Sequence, residues 1–428
     1  MKLQKPKGTQ DIFGKNAELM TQINALAAAT FENYNFKQIE TPVFEDYELF
    51  SRSSGETSDI VTKEMYDFQD KGGRHIALRP EGTASVVRAY LENKFFAPEI
   101  QKPVKLWYSG PMFRYERPQS GRLREFHQIG VEVFGAKNPA IDAETIIMAA
   151  DFFNTLGLAN LKIHLNSIGD GESRAAYRKA LVDYLEPFRD RLSADSQRRL
   201  DENPLRILDS KDKEDKVFLE KAPSVLDYLN ENSKNHFDSV CEILEAADVE
   251  YVIDSTMVRG LDYYTDTVFE IMAVADGQEM AICAGGRYDK LVEYFEGPDT
   301  PAFGFALGVE RLFLILDTQD VDLTAEAGLH AYVAVLGDGA NIEASKLVSS
   351  LRTQGYSVDR DYQNRKLAAQ YKSADAYGAD LIITLGENEV LKRVAKVKNS
   401  QNREEHEYPL AELYSDFASI YEALVMGE

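Results

Sequence analysis

A chain of 428 residues allows two or three domains at about 150 residues each, and 44% hydrophobic with 28% charged residues describes an ordinary globular protein with material for a core. Forty-eight basic against 71 acidic residues leave a net charge of −23, which excludes nucleic-acid binding through the overall field, because such binding depends on neutralising phosphates. Any RNA contact must be made by local basic patches, with modest affinity and a steep salt dependence.

Other absences narrow the field further. Cys241 and Cys283 are too few for a disulfide framework, fit a reducing cytoplasm and read as packing residues. The six histidines, at 75, 127, 164, 236, 330 and 406, show no ligand spacing, so no zinc site built on His and Cys is expected. No apolar run approaches the roughly 20 residues of a membrane span, and MKLQKPKGTQ lacks the apolar stretch of a secretory signal.

Along the chain, Leu19, Ile23, Leu26, Phe31 and Tyr34 recur at helical spacing. Val104–Tyr108 and Phe126–Phe134 are strand candidates. The stretch from Phe113 to Glu132, FRYERPQSGRLREFHQIGVE, reads as two strands joined by a loop over Arg117–Arg124. Its first strand carries Arg114 and Glu116 on one face, and its second alternates Ile129, Val131 and Val133 against Gln128, Gly130 and Glu132. A glycine between two polar residues leaves room for a ligand near the backbone, and arginines beside it suit a polyanion. A solvated hairpin with a mixed-charge tip fits the same pattern. Residues 142–156 form a helix with Asp142 as N-cap and Gly157 just past its end. From about 170 to 250 mixed charges at helical spacing indicate a helical insertion, and sheet-like sequence returns at Tyr251. After Leu316 comes a polar, acidic linker, DTQDVDLTAEAG. Beyond it, alternating strands (330–336, 356–359, 380–385) and helices (341–354, 365–377) argue for a compact α/β domain.

Several of these segments carry a resemblance. FRYERPQSGRLREFHQIGVE is similar to motif 2 of the class II aminoacyl-tRNA synthetases, and GFALGVERL (Gly304–Leu312) to motif 3. The segment Ile39–Ser54, with Pro42 inside, resembles motif 1. VRGLDYYTDTVFE (Val258–Glu270) and AGGRYDKL (Ala284–Leu291) look like signature segments of the histidyl-tRNA synthetases, and KGTQDI (Lys7–Ile12) like their N-terminal opening. These segments follow one another in the family's order. Neither a GxxxxGK[ST] phosphate loop nor the HIGH and KMSKS signatures of the other synthetase class occur.

The resemblance implies an α+β catalytic domain of the class II synthetase type over residues 1–320, built on an antiparallel sheet with a helical insertion at about 170–250. A linker (321–328) and a C-terminal α/β anticodon-binding domain (329–428) follow. It implies a cytoplasmic homodimer, paired through motif 1, that uses ATP and Mg²⁺ to join L-histidine to histidine tRNA through an adenylate. Such chemistry needs no serine or cysteine nucleophile, because the substrate's own carboxylate attacks; it needs fixed cations and placement. Arg114 is matched to the α-phosphate, Glu116 to the adenine, and Arg122 and Arg311 to the rest of the nucleotide. Arg259 is matched to a bridge between histidine carboxylate and α-phosphate, with a structural ion pair to Asp262 or Asp266 as the bland alternative. Glu81, Thr83 and Gln128 are matched to the α-amino group, and Glu132 and Tyr264 to the imidazole. Tyr263, Gly285 and Tyr288 complete the pocket, with a tight turn at Gly285–Gly286. Taken alone, Glu310 and Arg311 would be a solvated helix end, and AGGRYD a loop. Arg117 and Gln119 are matched to the tRNA acceptor end. Lys392, Arg393, Lys396 and Lys398, without an acidic neighbour in sequence, form either an RNA contact or a solvated face. The rival readings are a synthetase-like regulatory paralogue of ATP phosphoribosyltransferase and a class II synthetase of another specificity.

Overall fold

The computed structural model describes residues 3–54, 60–258, 263–275, 277–324 and 328–426, and the chain divides into two units, Met1–Leu323 and Thr324–Glu428. Strands of the first unit are β1 (Lys37–Gln38), β2 (Phe44–Asp46), β3 (Asp67–Gln69), β4 (His75–Leu78), β5 (Val104–Phe113), β6 (Glu125–Phe134), β7 (Lys162–Ser167), β8 (Tyr251–Ile253), β9 (Thr265–Ala275), β10 (Gln278–Arg287) and β11 (Ala302–Gly308). Its helices are α1 (Lys15–Asn33), α2 (Tyr47–Ser54), α3 (Thr83–Glu92), α4 (Pro139–Thr155), α5 (Gly171–Leu185), α6 (Ala194–Glu202), α7 (Lys213–Leu219), α8 (Glu231–Ala246), α9 (Leu291–Tyr294) and α10 (Val309–Thr318).

Eight strands form one sheet in the order β1-β5-β6-β11-β10-β9-β7-β8, antiparallel except for the outer pairs β1/β5 and β7/β8, while β2, β4 and β3 form a small separate sheet. Side chains alternate across a sheet, and here the two faces differ sharply. One face bears Ile129, Val131 and Val133 of β6, Phe303, Phe305 and Leu307 of β11, and Phe269 and Ile271 of β9. All are buried against Leu19, Ile23 and Phe31 of α1, Phe152 and Phe153 of α4, Val240 and Leu244 of α8, and Leu312 and Ile315 of α10. Each such side chain contributes roughly 1.5–3 kcal/mol by leaving water. The other face is paved with small residues: Gly130 pairs with Ala306 and Ala306 with Ala284, while Glu132 pairs with Gly304 and Gly304 with Gly286. This leaves a cleft above the strands.

Three sequence expectations change here. β5 ends at Phe113, so Arg114 and Glu116 lie beyond it in the loop. α4 starts at Pro139, capped by Asn138, whose side chain accepts from Ala140 N at 2.9 Å; proline suits the first helical position because its missing N–H has no partner to lose. Asp142 is instead fully buried and ion-paired with Arg287. Gly285 and Gly286 are strand residues of β10 rather than a turn. The helices α5 to α8 with their short connections make the insertion, between β7 and β8.

In the second unit β12 (Ala331–Leu336), β13 (Val358–Arg360), β14 (Leu381–Gly386), β15 (Val394–Asn399) and β16 (Glu405–Pro409) form a sheet ordered β13-β12-β14-β15-β16. β13, β12 and β14 are parallel; β15 and β16 add antiparallel. Helices α11 (Asn341–Thr353), α12 (Leu367–Ala376), α13 (Glu387–Lys392), α14 (Leu410–Ser415) and α15 (Phe417–Tyr421) accompany them. Upstream, α10 continues to Thr318, and Val321 and Leu323 pack against the first core, so the chain leaves that unit later than the acidic composition suggested.

Candidate active site

Two polar clusters share the small-residue face. The first centres on Glu132, which is 1% exposed. Its carboxylate accepts from Thr83 Oγ1 at 2.7 Å, from Tyr108 Oη at 3.4 Å and from Tyr288 Oη. Thr83 opens α3, and the Glu81 carboxylate before it accepts from the Thr83 and Ala84 amides at 2.6 and 2.9 Å, satisfying N–H groups that a helix start leaves without partners. Tyr263 lies tilted against Tyr264 at 4.7 Å and meets Tyr288 edge-on at 5.6 Å. Burial pushes the Glu132 carboxyl up to about 8, although the hydroxyls of Tyr288 and Thr83 oppose the shift. Burial raises Glu81 too, and it drives the phenols of Tyr108, Tyr263 and Tyr288 well above their usual value. A carboxyl this far from water holds its proton unless a partner replaces the lost hydration.

Glycines make the room. A Cβ at Gly304 would lie 3.0 Å from Glu132 Cδ, and one at Gly130 would strike the Tyr108 ring. Gln128, on the same face as Gly130 and Glu132, has a buried Oε1 with no hydrogen-bond partner among the described residues, an acceptor waiting for a donor.

The second cluster is cationic. Arg114 Nε donates to Pro80 O at 2.8 Å, and its guanidinium lies 5.2 Å from the Phe126 ring centre and 4.0 Å from Glu116. Glu116 also holds Arg122 at 3.3 Å. Arg311 Nη1 donates to Ala281 O at 2.5 Å. Burial lowers the Arg311 pKa, and the charges of Arg122 and Arg114 add to this, so three guanidiniums bear on one another. The loop tip closes with reciprocal amide bonds between Gln119 and Arg122 at 3.1 and 2.9 Å, and Gly121, at φ 68°, leaves room for Arg311 Cγ. The N-terminal segment packs on the same loop, where Arg124 N donates to Gly8 O at 2.7 Å and the Arg124 guanidinium sits 3.7 Å from the Tyr115 ring centre. Crowded guanidiniums beside a pocket of buried acceptors can hold a polyanion next to a small polar molecule.

The histidyl-tRNA synthetase family model matches residues 8–312, and the anticodon binding domain model matches residues 330–419. The chain belongs to the histidyl-tRNA synthetase family. It is 60% identical over 428 residues to a histidine–tRNA ligase of Lactococcus lactis subsp. cremoris, covering 100% of both chains, and 60% identical over 424 residues to one of Streptococcus pneumoniae, covering 99% of each. A crystal structure of apo histidyl-tRNA synthetase from S. aureus superposes with a TM-score of 0.83 at 39% identity, covering 97% of this chain and 100% of that one.

Of the residues matched from sequence to this family, Glu81, Thr83, Glu132, Tyr263, Tyr264 and Tyr288 come together, and so do Arg114, Glu116, Arg122 and Arg311. Arg259 lies outside the described residues. Gly285 sits on the apolar side of β10, where a Cβ would meet Phe305 and Phe269, whereas Gly286 faces Tyr264. Arg117 and Gln119 are exposed on the loop. Glu310 is no solvated helix end: it is 7% exposed and accepts from His127 N at 2.9 Å, with His127 Nδ1 also 2.9 Å away. Phe305 and Leu307 belong to β11, ahead of the helix that carries Arg311. Tyr108 and Gly304 were missed. Tyr108 had a signal, since a glycine flanked by polar residues needs a cover, and Tyr108 pairs with Gly130 across β5 and β6.

In the second unit Lys396 and Lys398 do have acidic neighbours. Lys396 lies 3.9 Å from Glu389 and pairs across the sheet with Glu407; Lys398 pairs with Glu405 and lies 5.6 Å from the Tyr371 ring centre.

Proposed function

We propose that this chain ligates L-histidine to histidine tRNA by way of a histidyl-adenylate, releasing pyrophosphate and then AMP. What supports this reading best is the pairing on one sheet face of a buried acceptor, Glu132, held by three hydroxyls, with a cluster of three arginines. Histidine enters with its ring toward Glu132 and Tyr264 and its α-amino group toward Glu81, Thr83 and Gln128, of which the buried Gln128 Oε1 has no hydrogen-bond partner among the described residues. Tyr263, Tyr288 and the backbone at Gly286 wall the pocket. A site built to hydrogen-bond its substrate rejects analogues that lack those groups. ATP lies over the arginines, with Arg114 on the α-phosphate, Glu116 near the adenine, and Arg122 and Arg311 along the phosphate tail. Arg259 joins them as a fixed cation where carboxylate and phosphate meet. Guanidiniums keep their charge at any working pH, and fixed charge aimed at the reacting phosphorus is what lowers such a barrier.

Mg²⁺ needs oxygen donors; Glu270 on β9, whose charge bears on Arg311, is of that kind, and the ion would neutralise phosphate charge. Arg117 and Gln119 on the loop face the acceptor end of the tRNA, and Lys396 and Lys398 its phosphates. Homodimer formation through the motif 1 region goes with this reading. Phe44 and Phe68 are 55% and 47% exposed, and their strand partners Leu78 and Ile76 put them on one face of the small sheet, an apolar surface that suits association. A cytoplasmic location goes with it as well; among the described residues no helix is long and apolar enough to cross a membrane. The regulatory-paralogue alternative is disfavoured by full-length identity to histidine–tRNA ligases through the C-terminal unit. ATP–pyrophosphate exchange with each amino acid in turn tests the proposal. Histidine alone should support exchange; no exchange with histidine would overturn it.

A further inference from the structure

The helical insertion is joined to the site at its root. α5 and α8 carry the chain into and out of it, and their first turns lie side by side. Asp170 caps α5, accepting from Ser173 N at 2.9 Å, and Asn230 caps α8, accepting from Ser233 N at 2.9 Å. The caps also bind each other. Asn230 Nδ2 donates to Asp170 Oδ2 at 2.9 Å, Asn230 N to Ser173 Oγ at 3.0 Å, and Asp170 N to Ser233 Oγ at 3.2 Å.

This node holds the strand that follows the tyrosine pair. Ser233 Oγ donates to Asp266 Oδ1 at 2.6 Å, Asp266 N to Gly169 O at 3.0 Å and Ile168 N to Asp266 O at 2.9 Å. Arg174, in the first turn of α5, donates to the carbonyl of Tyr264 itself. Asp266 has φ 45°, a left-handed conformation uncommon outside glycine but better tolerated by aspartate than by most residues. The strand is also bulged here, since Gly286 pairs with Val268 but Arg287 with Thr265. A bulge re-aims the side chains beside it, and this one lies next to Tyr264. α8 reaches the neighbouring strand as well. His236 Nε2 lies 2.8 Å from the Asp142 carboxylate that grips Arg287, and the next residue, Tyr288, donates to Glu132.

We infer that the root of the insertion, through Arg174, Ser233 and the bulged Asp266, positions the Tyr263–Tyr264 wall of the amino-acid pocket, so that the insertion governs how tightly the pocket holds its substrate. The inference rests on the reading of Glu132 and these tyrosines as that pocket. Arg174 and Ser233 are positioning residues. Each contributes one hydrogen bond to the geometry of the wall, and the loss of one such bond is on the scale of a tenfold change in an equilibrium constant.

The test uses Ser233→Ala and Arg174→Met in the full chain, with exchange rates measured against histidine and against ATP. Histidine KM should rise about tenfold while ATP KM and the thermal midpoint stay near wild type, and Ser233→Thr should restore the histidine KM. An unchanged histidine KM in both variants would overturn the inference, as would an equal rise in both KM values, which marks general loosening. If Ser233→Ala does not fold, Asp266→Asn, which keeps an acceptor for Ser233, is compared with Asp266→Ala by the same ratio of KM values, and equal ratios overturn the inference. Tyr264→Phe checks the pocket separately. If it too leaves histidine KM unchanged, the pocket assignment has failed; if it alone raises that KM, only the role of the insertion root has failed.

Discussion

The two faces of the eight-stranded sheet are made by alternate residues of the same strands, yet they obey different rules. Val131 and Phe305 fill space on one side; Glu132 and Gly304, their immediate neighbours in sequence, leave space on the other. On the apolar face, volume is what matters, and burial supplies the stability. On the cleft face stability is forgone: carboxyls are buried, side chains are omitted and guanidiniums are crowded together. Function is therefore concentrated where the fold gains least, as expected of sites that carry strain for chemistry.

The separation is put at greatest risk on the apolar side. Phe305→Ala should cost about 3–5 kcal/mol of stability, the usual loss for emptying a buried aromatic site, read from the urea midpoint, while the folded fraction keeps its histidine KM. A large change in KM at small stability cost would break the division. On the cleft side Arg114→Ala should slow ATP–pyrophosphate exchange by ~100-fold, the scale of one lost fixed charge, with the thermal midpoint barely moved; Arg259→Ala should behave alike.

Glu132→Gln should raise histidine KM by about tenfold and leave ATP KM alone, because a buried acceptor suited to a ring N–H is replaced by a mispaired amide. It should also change how stability depends on pH. The folded-state pKa of Glu132, about 8, exceeds the ordinary 4.5. Its contribution to the ligand-free protein is thus full below about pH 4.5, falls as pH climbs toward 8, and is gone above that. Midpoints measured across this window should decline in the wild type and flatten in the variant. The smallest effect is expected in the second unit. Lys396→Glu with Lys398→Glu should lower tRNA charging several-fold and reduce its salt slope by about one per lysine, leaving exchange intact.

Local patterns were legible in the sequence and distant partnerships were not. The alternation from Phe126 to Phe134 announced both faces of β6, and the helical spacing at Leu19, Ile23 and Phe31 marked α1. Aspartate is a common cap, which put the start of α4 at Asp142; Arg287, 145 residues away, and His236 are the distant partners that explain its burial. Glu310 reads as solvated from its neighbours along the chain, but His127, 183 residues earlier, lies against it. Glycines at 285 and 286 read as a turn from composition, whereas they serve close packing between neighbouring strands. Lys396 and Lys398 lacked acidic neighbours along the chain but face Glu407 and Glu405 across β15 and β16. Strand register decides the glycine and lysine cases, and packing of helices on the sheet the other two; both are set by the whole domain.

The mutual capping of Asp170 and Asn230 has a consequence for the length of the segment between them. Sixty residues separate the two, and their side chains close the interval like a clasp. The entropy of closing a loop grows only with the logarithm of its length, about 0.6 kcal/mol for each doubling. The closure entropy alone would therefore change little if the segment inside the clasp lengthened or shortened, and the clasp fixes where that segment is fastened.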